Sequence, residues 1–187
     1  MKRGNFDSLV PSEQTPISLT YYASMNKEEI ISEIETAFHG VKLNGGTSLE
    51  QARVIDNYGR GVSAQEFAGL PENEITEDWS DIPVDLLESF DCIAFLDEKG
   101  LKYYLPAFML RILDNYDAST MMTIGTFSAL YPKNETQKAN LSELNIVQRR
   151  AIALFLKNLP NLVELWGEDV PRVERAFNQY WSKYVSE

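Results

Sequence analysis

Histidine and cysteine are almost missing from this 187-residue chain, which has one of each, His39 and Cys92. One cysteine cannot pair within the chain, so no disulfide framework holds it. One histidine leaves a His-based metal site short of its other nitrogen ligands, and no metal or cofactor is expected. Positive charge is also scarce: 17 Lys and Arg stand against 28 Asp and Glu, giving a net charge of −11. A protein that grips a nucleic-acid backbone needs the opposite sign, so nucleic acid is excluded as a partner. No apolar run approaches the roughly 20 residues that span a bilayer. The N-terminus starts basic, Met1-Lys2-Arg3, but lacks the apolar stretch of a secretory signal. The expectation is a cytoplasmic protein without a membrane partner, and the lone cysteine suits a reducing compartment.

What the chain does have is apolar surface and localised acid. Hydrophobic residues make up 44% and aromatics 11%, enough to form a compact core in one domain of ordinary size. The acid is not spread evenly. Residues 70–100 carry ten carboxylates against Lys99 alone, net −9. Residues 101–187 nearly balance, with ten cations against nine carboxylates.

Residues 1–25 lack periodicity and contain Pro11 and Pro16, so they read as an N-terminal arm. Residues 26–187 read as a single domain. Asn26 and Glu29 have capping-box spacing, and Ile30, Ile34, Ala37 and Phe38 recur at helical spacing, which predicts a helix over 27–38. Thr47 or Ser48 caps a second helix from Leu49 to about Asn57. Ser63 and Glu66 offer a capping box for a further short turn. Glu72 to Asp81 reads as a loop, and Pro83 opens a short helix through Leu86 and Leu87.

The pattern then changes. Cys92–Leu96 and Leu101–Leu105 flank Asp97-Glu98-Lys99-Gly100, which predicts a β-hairpin with Gly100 closing the loop. On such a strand Tyr103 and Tyr104 alternate faces, so one of them reaches solvent or a neighbouring element. Pro106 then begins a helix from Ala107 to about Tyr116. Residues 117–131 are apolar-rich and ambiguous, 132–140 read as a polar loop, and helices follow through Ile146–Leu156, ended by Pro160, and through Val170–Tyr184. The predicted class is α+β: a helix-rich single domain around a small antiparallel β-hairpin.

Several phrases occur in order: Ala37-Phe38-His39-Gly40-Val41, Thr47 to Ala52, Asp78-Trp79 with Ile82-Pro83, Tyr104-Leu105-Pro106-Ala107-Phe108-Met109, Gln148-Arg149 and Tyr180-Trp181. Over about residues 27–184 the chain resembles a family of small bacterial proteins catalogued as a domain of unknown function. The resemblance implies no activity and no catalytic residue.

Four features bear on chemistry. Cys92 and His39 are a nucleophile and a base in type, but a cysteine in an apolar run behaves as a small buried hydrophobe. Asn44-Gly45-Gly46-Thr47-Ser48 precedes a helix, where a phosphate can bind, yet it lacks the Gly-Lys-Ser/Thr of a P-loop and reads better as a turn with an N-cap. Glu72, Glu74, Glu77, Asp78, Asp81 and Asp85 offer acid/base or cation chemistry, a solvated face, or a docking surface. Trp79 sits among them, as a buried anchor or an exposed hot spot. The lead expectation is a non-enzymatic protein-binding module. It docks a basic protein partner through Glu72, Glu74, Glu77, Asp78, Trp79, Asp81 and Asp85, in the manner of a toxin-neutralising immunity protein. The alternatives are a hydrolase using the clustered carboxylates, and a homo-oligomeric scaffold joined through 117–131.

Overall fold

The structure is a computed structural model and describes residues 24–59 and 77–185. The capping pair Ser63 and Glu66, the carboxylates Glu72 and Glu74, and all but Ser24 and Met25 of the predicted arm lie outside the described residues.

Among the described residues the regular elements are all helical. They are α1 (Lys27–Phe38), α2 (Leu49–Tyr58), α3 (Val84–Glu88), α4 (Glu98–Asp114), α5 (Met121–Ala129), α6 (Glu135–Ala139), α7 (Ile146–Leu162) and α8 (Asp169–Ala176). Short 3-10 turns cover Trp79–Asp81, Ile93–Phe95 and Ser182–Tyr184, and a π-turn covers Phe177–Trp181. None of these helices is long and apolar enough to cross a membrane.

The predicted α+β class is therefore wrong, and the hairpin is where it fails. Asp97-Glu98-Lys99-Gly100 is an N-cap followed by the first turn of a helix. Asp97 Oδ1 accepts from the Gly100 amide at 2.7 Å, satisfying one of the free N–H groups at the start of α4. The same oxygen accepts from the Thr47 amide at 2.9 Å and ties α4 to the loop before α2. Gly100 is needed for that approach: a Cβ there would lie 2.4 Å from the Thr47 carbonyl oxygen. So the glycine serves close packing, not a left-handed loop.

Residues 101–105 belong to α4, which packs against α1, α3, α5, α7 and the Trp79 turn. Leu101, Tyr103, Tyr104, Leu105, Phe108, Met109 and Ile112 are all buried. Neither tyrosine reaches solvent; their rings meet edge to face at 4.8 Å. Pro106 lies inside α4 and removes one ladder hydrogen bond, a cost of about 3 kcal/mol that burial on several sides offsets. Pro160 likewise lies inside α7, two residues before its end. The loop predicted over 132–140 contains α6.

Where the local signals are strong the elements match them. Asn26 and Glu29 form a complete capping box, with hydrogen bonds of 2.9 and 2.8 Å, and α1 ends at Phe38. Asn145 and Gln148 form another at the start of α7. Ile30, Ile34 and Phe38 recur every fourth residue and are fully buried, on the face that a helix presents to its neighbours. Here the neighbours are α7 and α4. The Met25 amide donates to Asn158 Oδ1 at 3.0 Å, pinning the entry of α1 onto α7. The apolar residues of α5 turn inward as well: Met122 and Phe127 are buried, while Met121 is exposed.

Candidate functional site

The acidic segment enters the described region at Glu77. Asp78 Oδ1 accepts from the Ser80 amide at 3.0 Å and from the Ser80 hydroxyl at 2.9 Å. These bonds cap the turn that follows, and they hold the Asp78 carboxyl below its ordinary pKa. Its carboxylate is thus a structural cap as well as a charge. Trp79 points inward: it is 4% exposed, and its indole N–H donates to the Phe38 carbonyl at 2.9 Å. The segment is therefore anchored to the end of α1 by its largest side chain.

Beside this anchor lies a groove of about 300 Å³. Trp79, Ile82, Leu87, Ala107 and Leu110 give it apolar walls, and Val84, half exposed, stands at its edge. Among the described residues, Glu35 and Asp114 line it with carboxylates, and Arg111 with the one cation. That cation is already engaged. Arg111 Nε donates to Glu88 at 3.0 Å and Nη1 to Asp114 at 2.7 Å. Asp81 and Asp85 are exposed on the segment that supplies Ile82 and Val84. The groove thus combines an apolar floor with a rim on which Asp114 is paired and Glu35 has no ion pair among the described residues.

The predicted residues do not all gather here. Glu77 is exposed and borders a separate groove of about 550 Å³ with Lys42, Asn44 and Gln51. Lys42 Nζ bonds the Glu77 backbone carbonyl. Asp78 and Asp81 face different tasks, one capping and one solvated. Sequence reasoning missed Glu35, Ala107, Leu110, Arg111 and Asp114, which reach the groove from α1 and α4. Helical spacing places Glu35 on the wet side of α1 but carries no signal of what lies across from it.

The other candidate chemistries resolve into structure. Cys92 is buried, and its thiol donates to Asp91 Oδ1 at 2.9 Å and to Asp56 Oδ2 at 3.5 Å. Burial and these two carboxylates push its pKa up to about 12, the reverse of an activated nucleophile. His39 is exposed at the end of α1 and is not among the groups acting on Cys92. In the Asn44–Ser48 loop, Ser48 caps α2 in a box with Gln51, and the Thr47 amide is taken by Asp97. Those amides are used internally, as a turn with an N-cap requires. Among the described residues no three His, Cys, Asp or Glu side chains converge in a way that could hold a metal ion. Among the described residues Arg149 pairs with no acid; it donates to the Leu141 and Leu144 carbonyls and to the Tyr180 and Tyr184 hydroxyls.

Compared with known families, the chain matches over residues 26–185 a family of unknown function (DUF6714). No curated protein and no solved structure matches it.

Proposed function

The chain belongs to that family of unknown function, and we propose from its surface that it is a non-enzymatic module that docks a basic protein partner through its acidic segment. The observation that carries this reading is the groove beside Trp79. An apolar floor offers burial to an anchoring side chain, and Glu35 adds a carboxylate that has no ion pair among the described residues, Asp114 being held by Arg111. Such a site suits an apolar residue flanked by lysine or arginine. Exposed Asp81 and Asp85 speed encounter by steering positive charge toward it. A toxin-neutralising immunity protein that blocks a basic nuclease is one concrete version.

The test is affinity capture from the native host, comparing the wild-type chain with a Glu77→Gln, Asp81→Asn, Asp85→Asn variant. Asp78 is left intact because its carboxylate caps a turn. The expected result is a basic protein held at low salt, released as ionic strength rises, and lost or greatly weakened in the variant. Binding indifferent to salt, or an unchanged set of captured proteins, would overturn the reading.

A further inference from the structure

Of the three tryptophans, Trp79 and Trp181 are buried and Trp166 is 69% exposed. Its backbone is nonetheless held firmly. The Trp166 amide donates to the Tyr116 hydroxyl at 3.1 Å, and that hydroxyl donates to Asp169 Oδ2 at 2.9 Å. Asp169 is 5% exposed, and its other oxygen accepts from Arg172 at 3.1 Å. The Trp166 carbonyl accepts from the Asp169 amide at 3.1 Å, and Gly167 follows in the left-handed region at φ +52°. A chain of polar contacts therefore fixes the backbone of a residue whose ring stays in water. An indole contributes most when it is removed from water, so this one is placed for a contact outside the chain.

The ring borders a groove of about 810 Å³. Among the described residues, Asp114, Asp117 and Glu164 line it with three carboxylates, against the single ammonium of Lys27. Lys27 lies 3.9 Å from Asp114, which also holds Arg111. Glu164 has no ion pair among the described residues. Asp117 spends only Oδ1, on the Ser119 amide and hydroxyl at 2.8 and 2.7 Å. The groove also adjoins the docking surface, because Asp114 lines both this groove and the one beside Trp79.

We infer that the Trp166 groove takes an arginine side chain of the basic partner, its guanidinium stacked on the indole and neutralised by Asp117 and Glu164. This rests on the docking reading above and names the chemistry of one contact. An indole is the best aromatic face for a cation, and arginine is the cation that stacks flat while presenting several N–H donors to carboxylates. Adjacency to the docking groove, which shares Asp114, favours a side chain carried by the partner over a free small cation.

The test uses the full chain with a fluorescein-labelled arginine-rich peptide and its lysine counterpart, followed by anisotropy and by tryptophan emission. The arginine peptide is expected to quench the solvent-exposed component of the emission and to bind several-fold more tightly than the lysine peptide. Trp166→Ala removes the quenching and weakens binding on the order of tenfold; Asp117→Asn with Glu164→Gln weakens it comparably. Circular dichroism checks that these surface variants stay folded. Absence of binding, equal binding of the two peptides, or Trp166→Ala binding within about twofold of wild type each overturns the inference. The Glu77→Gln, Asp81→Asn, Asp85→Asn variant separates the two proposals. If it binds the arginine peptide normally and its captured proteins are unchanged, the docking reading alone falls. If it loses the captured partner while Trp166→Ala leaves peptide binding unchanged, the docking reading stands and the arginine contact falls.

Discussion

Trp79 donates its indole N–H to the Phe38 carbonyl at 2.9 Å, joining the acidic segment to the end of α1. The bond sets the segment's height over the core, so that Ile82 and Leu87 are buried below it while Asp81 and Asp85 remain in water.

Trp79→Phe keeps most of the buried ring and removes the bond. The Phe38 carbonyl still accepts from the Val41 amide at 3.1 Å, so the expected cost is about 1–2 kcal/mol. Trp79→Ala leaves a cavity and costs about 3–5 kcal/mol. Urea denaturation reads both, and similar midpoints for the two variants would contradict the anchoring role.

Gly100→Ala tests whether α4 owes its start to a close approach. Replacing glycine inside a helix ordinarily gains about 0.5–1 kcal/mol. Here the new Cβ would meet the Thr47 carbonyl oxygen at 2.4 Å, so the change is expected to destabilise by about 1–3 kcal/mol. Gly125→Ala on α5 is the control: its Cβ would meet Ile93 Cδ1 at 3.1 Å and Cβ at 3.3 Å, contacts relieved by a shift of a few tenths of an ångström, and the expected effect stays within about 1 kcal/mol. A stabilised Gly100→Ala protein would refute the contact.

Cys92 titrates at about 12 in the folded chain against 9.0 for an unperturbed thiol. The folded state thus holds its proton more tightly. Its contribution to stability is complete below the unfolded value and is lost as pH rises through the folded one. Stability should fall across that window, and Cys92→Ser should fall less steeply. At pH 8 the native thiol should resist alkylation that proceeds readily in urea; equal rates by mass spectrometry would count against its burial.

Arg149 and Arg150 are neighbours with different fates. Arg149 gives its guanidinium to two backbone carbonyls and two tyrosine hydroxyls, so Arg149→Ala is expected to cost about 2–3 kcal/mol. Arg150 is half exposed and lies 3.9 Å from Glu33; Arg150→Ala should change stability by less than about 0.5 kcal/mol. Thermal denaturation of the pair gives the comparison, and equal losses would contradict it.

Local chemistry determined what local chemistry can. Asn26 with Glu29 and the fourfold spacing of Ile30, Ile34 and Phe38 define α1 without help from the rest of the chain. The concentration of carboxylates around Trp79 is likewise a property of order along the chain, and so is the direction in which the protein's charge points. Tertiary structure decided the rest. A helix buried on several sides is apolar nearly all round and loses its 3.6-residue period. Leu101 to Leu105 therefore reads as a strand as easily as a helix. What makes it helical is Asp97, whose carboxylate caps α4 and holds the distant Thr47 amide at once. The groove beside Trp79 and the exposure of Trp166 were decided in the same way. Each depends on which side chains arrive from α1, α4 and the turn before α8, and no spacing along the chain records which surfaces will face each other.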